Sequence, residues 1–191
     1  MSIAPDGVLA ALQRGNEEAF RQLAEAELDG LYGLAYGILG SRADAEDVCQ
    51  EVLLKLYQTA PRLSPDTPLR AWLRRVCVNR CLDVRRMLKR RPQAAEPLDE
   101  ATAQPGALGS EEAAAEALFR QAVTAALVHL PKKQRAIFVL RHLQECSVRE
   151  TAQIMGCAEG TVKVQLSRAV AKLRHLLRDW RPGGQEEVHH A

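Results

Sequence analysis

Hydrophobic residues recur along this chain at intervals of three and four, the spacing of a buried helical stripe. Leu9, Leu12, Phe20, Leu23, Leu31, Leu34 and Ile38 predict helices over 6–14 and 16–39. Gly40-Ser41 breaks the run, and Ser41 or Asp44 is placed to cap a helix over about 44–60. In that helix Ala45, Val48, Val52, Leu53 and Leu56 face inward, while Asp47, Gln50, Glu51 and Gln58 occupy the other side with Leu54 among them. An apolar side chain in an acidic and amide surround suggests a partner surface. Pro61, Pro65 and Pro68 close the helix and bracket a loop, and a helix containing Trp72 follows over 69–91.

Periodicity then stops. Residues 92–110 hold Pro92, Pro97, Pro105, Gly106 and Gly109, a stretch too long for an ordinary connection inside a compact domain. Ser110-Glu111-Glu112 offers a cap and acidic side chains to a new helix N-terminus, where the helix dipole favours them. Leu118, Val123, Leu127 and Leu130 extend that helix to Pro131. Three more helices are predicted, at 132–143, 147–155 and 159–178. The expectation is therefore an all-α chain of two small helical domains, 1–91 and 113–180, joined by a flexible acidic linker over 92–112 and ending in a flexible tail at 181–191.

The second domain has the pattern of a helix-turn-helix. Ser147 and Glu150 are spaced as a capping box, and Val148, Ala152 and Met155 form one stripe before the permissive Gly156. In the following helix Val162, Leu166, Ala169, Leu173 and Leu176 share an inward stripe. About 100° away run Thr161, Val164, Gln165, Arg168 and Lys172. A packing face beside a small, polar, basic one suits a helix that enters the DNA major groove. An ordinary amphipathic hairpin with a solvated face shares that geometry, and charge decides between them.

The formal net charge of +2 conceals strong blocks. Residues 1–68 carry 5 Lys/Arg against 11 Asp/Glu, and residues 92–131 carry 1 against 6. Residues 69–91 carry 9 against the single Asp83, and residues 132–181 carry 11 against 4. Two basic blocks on defined helices are the footprint of phosphate-binding surfaces. Composition agrees with helices, since aromatics make up only 4%. Cys49, Cys77, Cys81, Cys146 and Cys157 form no CxxC pair and read as small buried hydrophobes in a reducing compartment. Cys77 and Cys81, one turn apart, lack a second ligand pair, so no metal or other cofactor is expected. His189 and His190 belong to the tail. No apolar run is long enough to span a membrane.

Leu130-Pro131, Arg135, Ile137, Leu140-Arg141, Ser147, Glu150-Thr151-Ala152, Met155-Gly156 and Gly160-Thr161-Val162-Lys163 together resemble the C-terminal domain of extracytoplasmic-function (ECF) sigma factors, members of the sigma-70 family. Ala45-Glu46-Asp47-Val48-Cys49-Gln50-Glu51-Val52 resembles the family's polymerase-gripping segment, and Leu69, Trp72-Leu73 and Val76-Cys77-Val78-Asn79 its −10 region. The resemblance covers about 1–91 and 113–178. It implies a non-enzymatic, cytoplasmic factor that directs core RNA polymerase to a promoter class. Asp47, Gln50, Glu51 and Leu54 would bind polymerase. Asn79 would capture an extruded −10 base while Arg74, Arg75, Arg80, Arg85, Arg86, Lys89, Arg90 and Arg91 meet phosphates. Thr161, Lys163, Val164, Gln165, Ser167, Arg168 and Lys172 would meet the −35 duplex. Trp72 reads as core in preference to a base-stacking residue.

The resemblance further implies a cognate anti-sigma factor, membrane-anchored, that masks the polymerase-binding surface and keeps the factor near the membrane. No small-molecule substrate is expected. Three positions depart from the family pattern. Ala158 stands where a small polar cap precedes the recognition helix, Val164-Gln165 replaces Ser-Arg, and Cys146 stands where Gly is common. A helix-turn-helix repressor or activator with a ligand-sensing first domain is the alternative. An enzyme is disfavoured, because no Ser/His/Asp arrangement, phosphate loop or metal constellation stands out.

Overall fold

The computed structural model describes residues 5–88, 111–178 and Trp180, and several of its helices start or stop at a local cap. Helix α1 spans Pro5–Gln13 and α2 spans Glu17–Leu39. The Asn16 side chain accepts the Ala19 N–H at 3.0 Å, and Glu17 and Glu18 lie in the first turn of α2. Gly40, at φ 78°, takes the left-handed conformation that ends α2 and returns its N–H to the Tyr36 carbonyl at 2.8 Å. Helix α3, Arg42–Thr59, is capped by Ser41 (of the two candidates), whose side chain accepts the Asp44 N–H. A 3-10 turn over Ala60–Arg62 carries Pro61, and α4 then runs over Leu69–Leu88.

Helices α5 (Glu111–Leu127) and α6 (Lys132–Phe138) follow. Helix α6 runs on into a π-helical turn over Val139–Leu143, after which Glu145 adopts φ 52°. The capping box forms as the spacing predicts, with Ser147 Oγ accepting the Glu150 N–H at 3.1 Å and Glu150 Oε2 accepting the Ser147 N–H at 2.7 Å. It opens α7 (Val148–Met155), Gly156 turns the chain at φ 62°, and α8 runs over Glu159–Leu176. Among the described residues there is no strand. Lys89, Arg90, Arg91, most of the 92–112 linker and the 181–191 tail lie outside the described residues.

Helix α2 is the hub: α1, α3, α4, α5, α6 and the π-helical turn all touch it. Leu31, Leu34, Ile38, Val48, Val52 and Leu56 are buried around it, as the inward stripes predict, and Leu73, Cys77, Val78 and Cys81 of α4 join them. That core continues into the C-terminal half, because Leu127, Leu130, Ala136, Val139, Leu140, Cys146 and Ile154 belong to the same cluster. A separate small cluster, Ile137, Ala152 and Val162 with Val148, Met155 and Leu166 against it, holds the helix-turn-helix together. Helix α7 is therefore gripped from two sides, by α8 and by α4. Leu176, expected on the inward stripe of α8, is exposed, because the helix by then has run past its neighbours.

Leu34 is completely buried at the centre of the hub. Leu34→Ala is expected to lose about 2–5 kcal/mol of stability, read from the urea midpoint at unchanged m-value.

Candidate nucleic-acid and partner interfaces

Three exposed surfaces remain once the core is subtracted. On α3, Asp47, Gln50, Leu54 and Tyr57 succeed one another at intervals of three, four and three, so they share one face, and all are exposed. Leu54 is 56% exposed and Tyr57 59%, large apolar side chains left in water on a soluble helix. Tyr57 went unremarked in the sequence, although it extends the stripe by one turn. Its ring meets Phe20 of α2 edge-on at 5.6 Å, which holds it upright. Glu51 sits beside this face and is engaged by Arg80 of α4, whose Nη2 donates to Glu51 Oε1 at 2.7 Å. Residues expected to serve two different partners are thus joined to each other. Glu51 is exposed and Arg80 half-buried, so water screens the pair and it adds little stability.

The basic helix α4 divides its arginines by location. Asn79 and Arg75 are exposed. Arg86 is exposed but salt-bridged to Asp83 at 2.9 Å, one turn before it. Arg74 is half-buried and donates to Cys146 Sγ at 3.4 Å. Arg85 departs most from the expectation of a phosphate contact. Its Nη1 donates to the Ile38 carbonyl at 3.0 Å, and burial depresses its pKa. It caps the C-terminus of α2 and is half-buried there. Trp72 is half-buried against the core, in line with the packing reading. Lys89 lies outside the described residues.

The third surface is the outer face of α8. Thr161, Lys163, Val164, Ser167, Arg168 and Lys172 are all exposed, and Val164 is half in water. Gln165 is the exception: it is half-buried and accepts a hydrogen bond from Gln134 Nε2 of α6 at 3.2 Å. Ala158 has the extended backbone of a cap residue but no side chain to accept a hydrogen bond, so the first turn of α8 lacks a side-chain cap. Arg149 and Gln153 of α7 join Gly156, Ala158 and Glu159 around an open concavity of about 580 Å³ at the turn. Neither was singled out in the sequence. Both are exposed polar residues of α7 flanking Ala152 at the turn, and their polarity there was the available signal.

The cysteines are placed as packing residues. Cys77, Cys81 and Cys49 are buried together, and Cys77 Sγ donates to the Leu31 carbonyl at 3.8 Å. Burial pushes the Cys49 thiol up to about 11, and a hydrogen bond with Cys81, reinforced by burial, raises Cys77 as well. Protonated thiols are poor nucleophiles and poor ligands. Among the described residues no group of three His, Cys, Asp or Glu side chains is arranged to hold a metal ion.

Family comparisons agree with this geometry. The family model described as Sigma-70 region 2 matches residues 23–91, and that described as Sigma-70, region 4 matches residues 120–173. ECF RNA polymerase sigma factor SigM of Mycobacterium tuberculosis is 36% identical over 170 residues, 89% of this chain and 83% of that protein. ECF RNA polymerase sigma factor SigW of Bacillus subtilis is 28% identical over 177 residues, 88% of this chain and 94% of its own length. Among solved structures, CnrH bound to the cytosolic domain of CnrY superposes with a TM-score of 0.71 at 26% identity, over 94% of this chain and all of that one. The sigma factor RpoE of Bartonella quintana, bound to the anti-sigma factor NepR, gives 0.67 at 28% identity over 85% of this chain and 98% of its own.

Restoring the missing cap is expected to stabilise α8. Ala158→Ser should add about 1 kcal/mol, seen as a raised thermal midpoint, provided the new hydroxyl bonds the N–H two or three residues on.

Proposed function

The chain belongs to the ECF sigma factors of the sigma-70 family, and from that premise we propose how its three surfaces divide the work of directing core RNA polymerase to one class of promoters. The family regulates transcription and is not a family of catalysts. The observation that carries the division is the segregation of chemistry by helix. An acidic and apolar face lies on α3, an exposed amide among cations on α4, and an exposed basic face on α8.

The α3 face, Asp47, Gln50, Leu54 and Tyr57, is the polymerase contact in this reading. Its charge is opposite to that of the DNA-facing helices, so a nucleic acid is repelled from it and a protein surface is not. Glu51 joins it when Arg80 lets go. Asn79 offers donor and acceptor together to the edge of an extruded −10 base, and Arg75, Arg80, Arg86 and Lys89 hold the separated strand. Thr161, Lys163, Val164, Ser167, Arg168 and Lys172 of α8 enter the −35 major groove. Val164 supplies an apolar contact of the kind that reads a thymine methyl, and Arg149 and Gln153 approach from the turn. Residues 1–91 and 113–180 act as the two modules and 92–112 as their connection. No described helix is long and apolar enough to cross a membrane. We place the protein in the cytoplasm, under the control of a cognate anti-sigma factor, as in the CnrH and RpoE complexes.

Run-off transcription with core enzyme tests the reading, and the absence of any promoter-dependent product from an authentic promoter would sink it. Asn79→Ala is expected to abolish strand opening while leaving binding to a −35 duplex unchanged. Replacing Lys163, Arg168 and Lys172 by Ala should weaken duplex binding and flatten the slope of log affinity against log salt by about 3, one counterion for each lost phosphate contact.

A further inference from the structure

One polar side chain on the outer face of α8 is held from behind by another helix. With about 100° between successive residues, Thr161, Arg168 and Lys172 lie within about 20° of one line down α8. Val164 stands about 60° to one side of that line and Gln165 about 40° to the other. The buried residues Val162, Ala169 and Leu173 begin only about 80° round. Gln165 therefore occupies the inner margin of the exposed arc, half-buried but still part of it. Its partner is Gln134, in the first turn of α6, whose Nε2 donates to Gln165 Oε1 at 3.2 Å. Ile137 of α6 and Val162 of α8 already join these two helices in a small core, so an amide pair at its rim is not needed to hold them together.

What the pair does is give an amide a direction. A glutamine amide carries two lone pairs on its oxygen and two hydrogens on its nitrogen, on a long side chain that turns freely until something fixes it. Gln134 takes one lone pair of Gln165 Oε1. The second lone pair and the Nε2 hydrogen beside it are left over, an acceptor and a donor side by side. That combination complements the major-groove edge of adenine, where N6 donates and N7 accepts. Guanine offers two acceptors there, thymine an acceptor and a methyl group, and cytosine a donor, so none of them meets both groups. An arginine at the same position, a donor alone, would suit guanine instead.

We infer that Gln165 reads one adenine of the −35 duplex through a two-bond contact, and that Gln134 is the residue that positions it. The inference rests on the reading of α8 as the duplex-binding helix and deepens it, by naming a base and the side chain that selects it. Immobilising a long side chain on binding weakens affinity by about threefold to tenfold. Gln134 removes part of that loss in advance, because it orders the Gln165 amide before DNA arrives. It also fixes which end of the amide points where, and that decides between adenine and a base of the opposite polarity. Gln134 touches no base in this arrangement and acts only through Gln165.

The test lets holoenzyme, assembled from core polymerase and the full-length chain, select from duplexes of an authentic promoter randomised over the −35 element. The retained duplexes are sequenced and then transcribed. One position is expected to favour adenine about tenfold to a hundredfold over the other bases. Gln165→Glu, an acceptor alone, should move that position to cytosine, and Gln165→Ala should level it, with every other position keeping its preference. Gln134→Leu, which removes the donor at similar volume, should keep adenine but narrow its lead by about threefold to tenfold. Gln134→Glu accepts where Gln134 donates, so it should turn the Gln165 amide over and abolish the adenine preference at that position alone. A merely structural Gln134 would instead lower retention of all duplexes alike. Another base at the position that responds to residue 165, no responding position, or an adenine lead untouched by both Gln134 variants overturns the inference. The promoter reading stands in those cases if the selected duplexes are transcribed. An adenine position that responds as stated, in duplexes that give no promoter-dependent transcript, supports the inference and overturns the promoter reading. Retention without preference at any position overturns both.

Discussion

Helix α2 ends inside the molecule, and its last carbonyls must find donors there. A helix terminus leaves four such groups without intrahelical partners, and burying them unpaired would cost more than any one side-chain contact returns. Gly40 answers for the Tyr36 carbonyl. The next two are answered by arginines from elsewhere in the chain: Arg135 of α6 at Gly37 and Arg85 of α4 at Ile38. Both cations sit at the negative end of the helix dipole, which offsets part of the cost of burying them. Most of the architecture can be traced from this arrangement. Helix α4 is tied to α2 near its C-terminal end, α6 is tied to the same spot, and α7 is carried against α4.

The same arrangement explains why cations close together in sequence do different jobs. On α4 the face turned toward α2 and α7 spends Arg85 and Arg74 on internal contacts, while Asn79, Arg75 and Arg86 remain at the surface. On α8 the inner side is apolar, with Val162, Ala169 and Leu173 buried, so nearly every polar residue is left at the surface. Gln165 is drawn inward by Gln134 because it lies at the edge of the stripe. The acidic α3 packs between α2 and α4 and turns Asp47, Gln50, Leu54 and Tyr57 outward. Arg80 of α4 and Glu51 of α3 tie the basic helix to the acidic one.

What could be read from the sequence was whatever depends on neighbours a few residues away. The Ser147 and Glu150 capping box, the stop at Gly40, the turn at Gly156 and the inward stripes of α2 and α3 all follow from local spacing. The vacant cap at Ala158 was equally visible. What could not be read depends on partners remote in the chain. Arg85 looked like one more phosphate-binding cation because nothing near it reveals the Ile38 carbonyl. Arg135 stood out only as part of a resemblance, with no hint that it would be buried. Gly37 passed as an ordinary small residue within a helix, although Val139 requires it to be small. Ile154 and Thr151 were missed because α7 is buried on two faces, and a single-stripe pattern describes only one of them.

The π-helical turn at Val139–Leu143 has a consequence for how this architecture can diverge. Such a turn holds one residue more than an α-helical turn of the same length. Deleting that residue would regularise the helix and swing everything after it by about 100°. Ile154 would then leave the α4 groove, and the exposed basic face of α8 would turn aside. Length variation in this family should therefore be tolerated in the stretch joining the modules and selected against between Pro131 and Ser147. In that interval a single-codon deletion would act as a change of aim and not merely as a loss of stability.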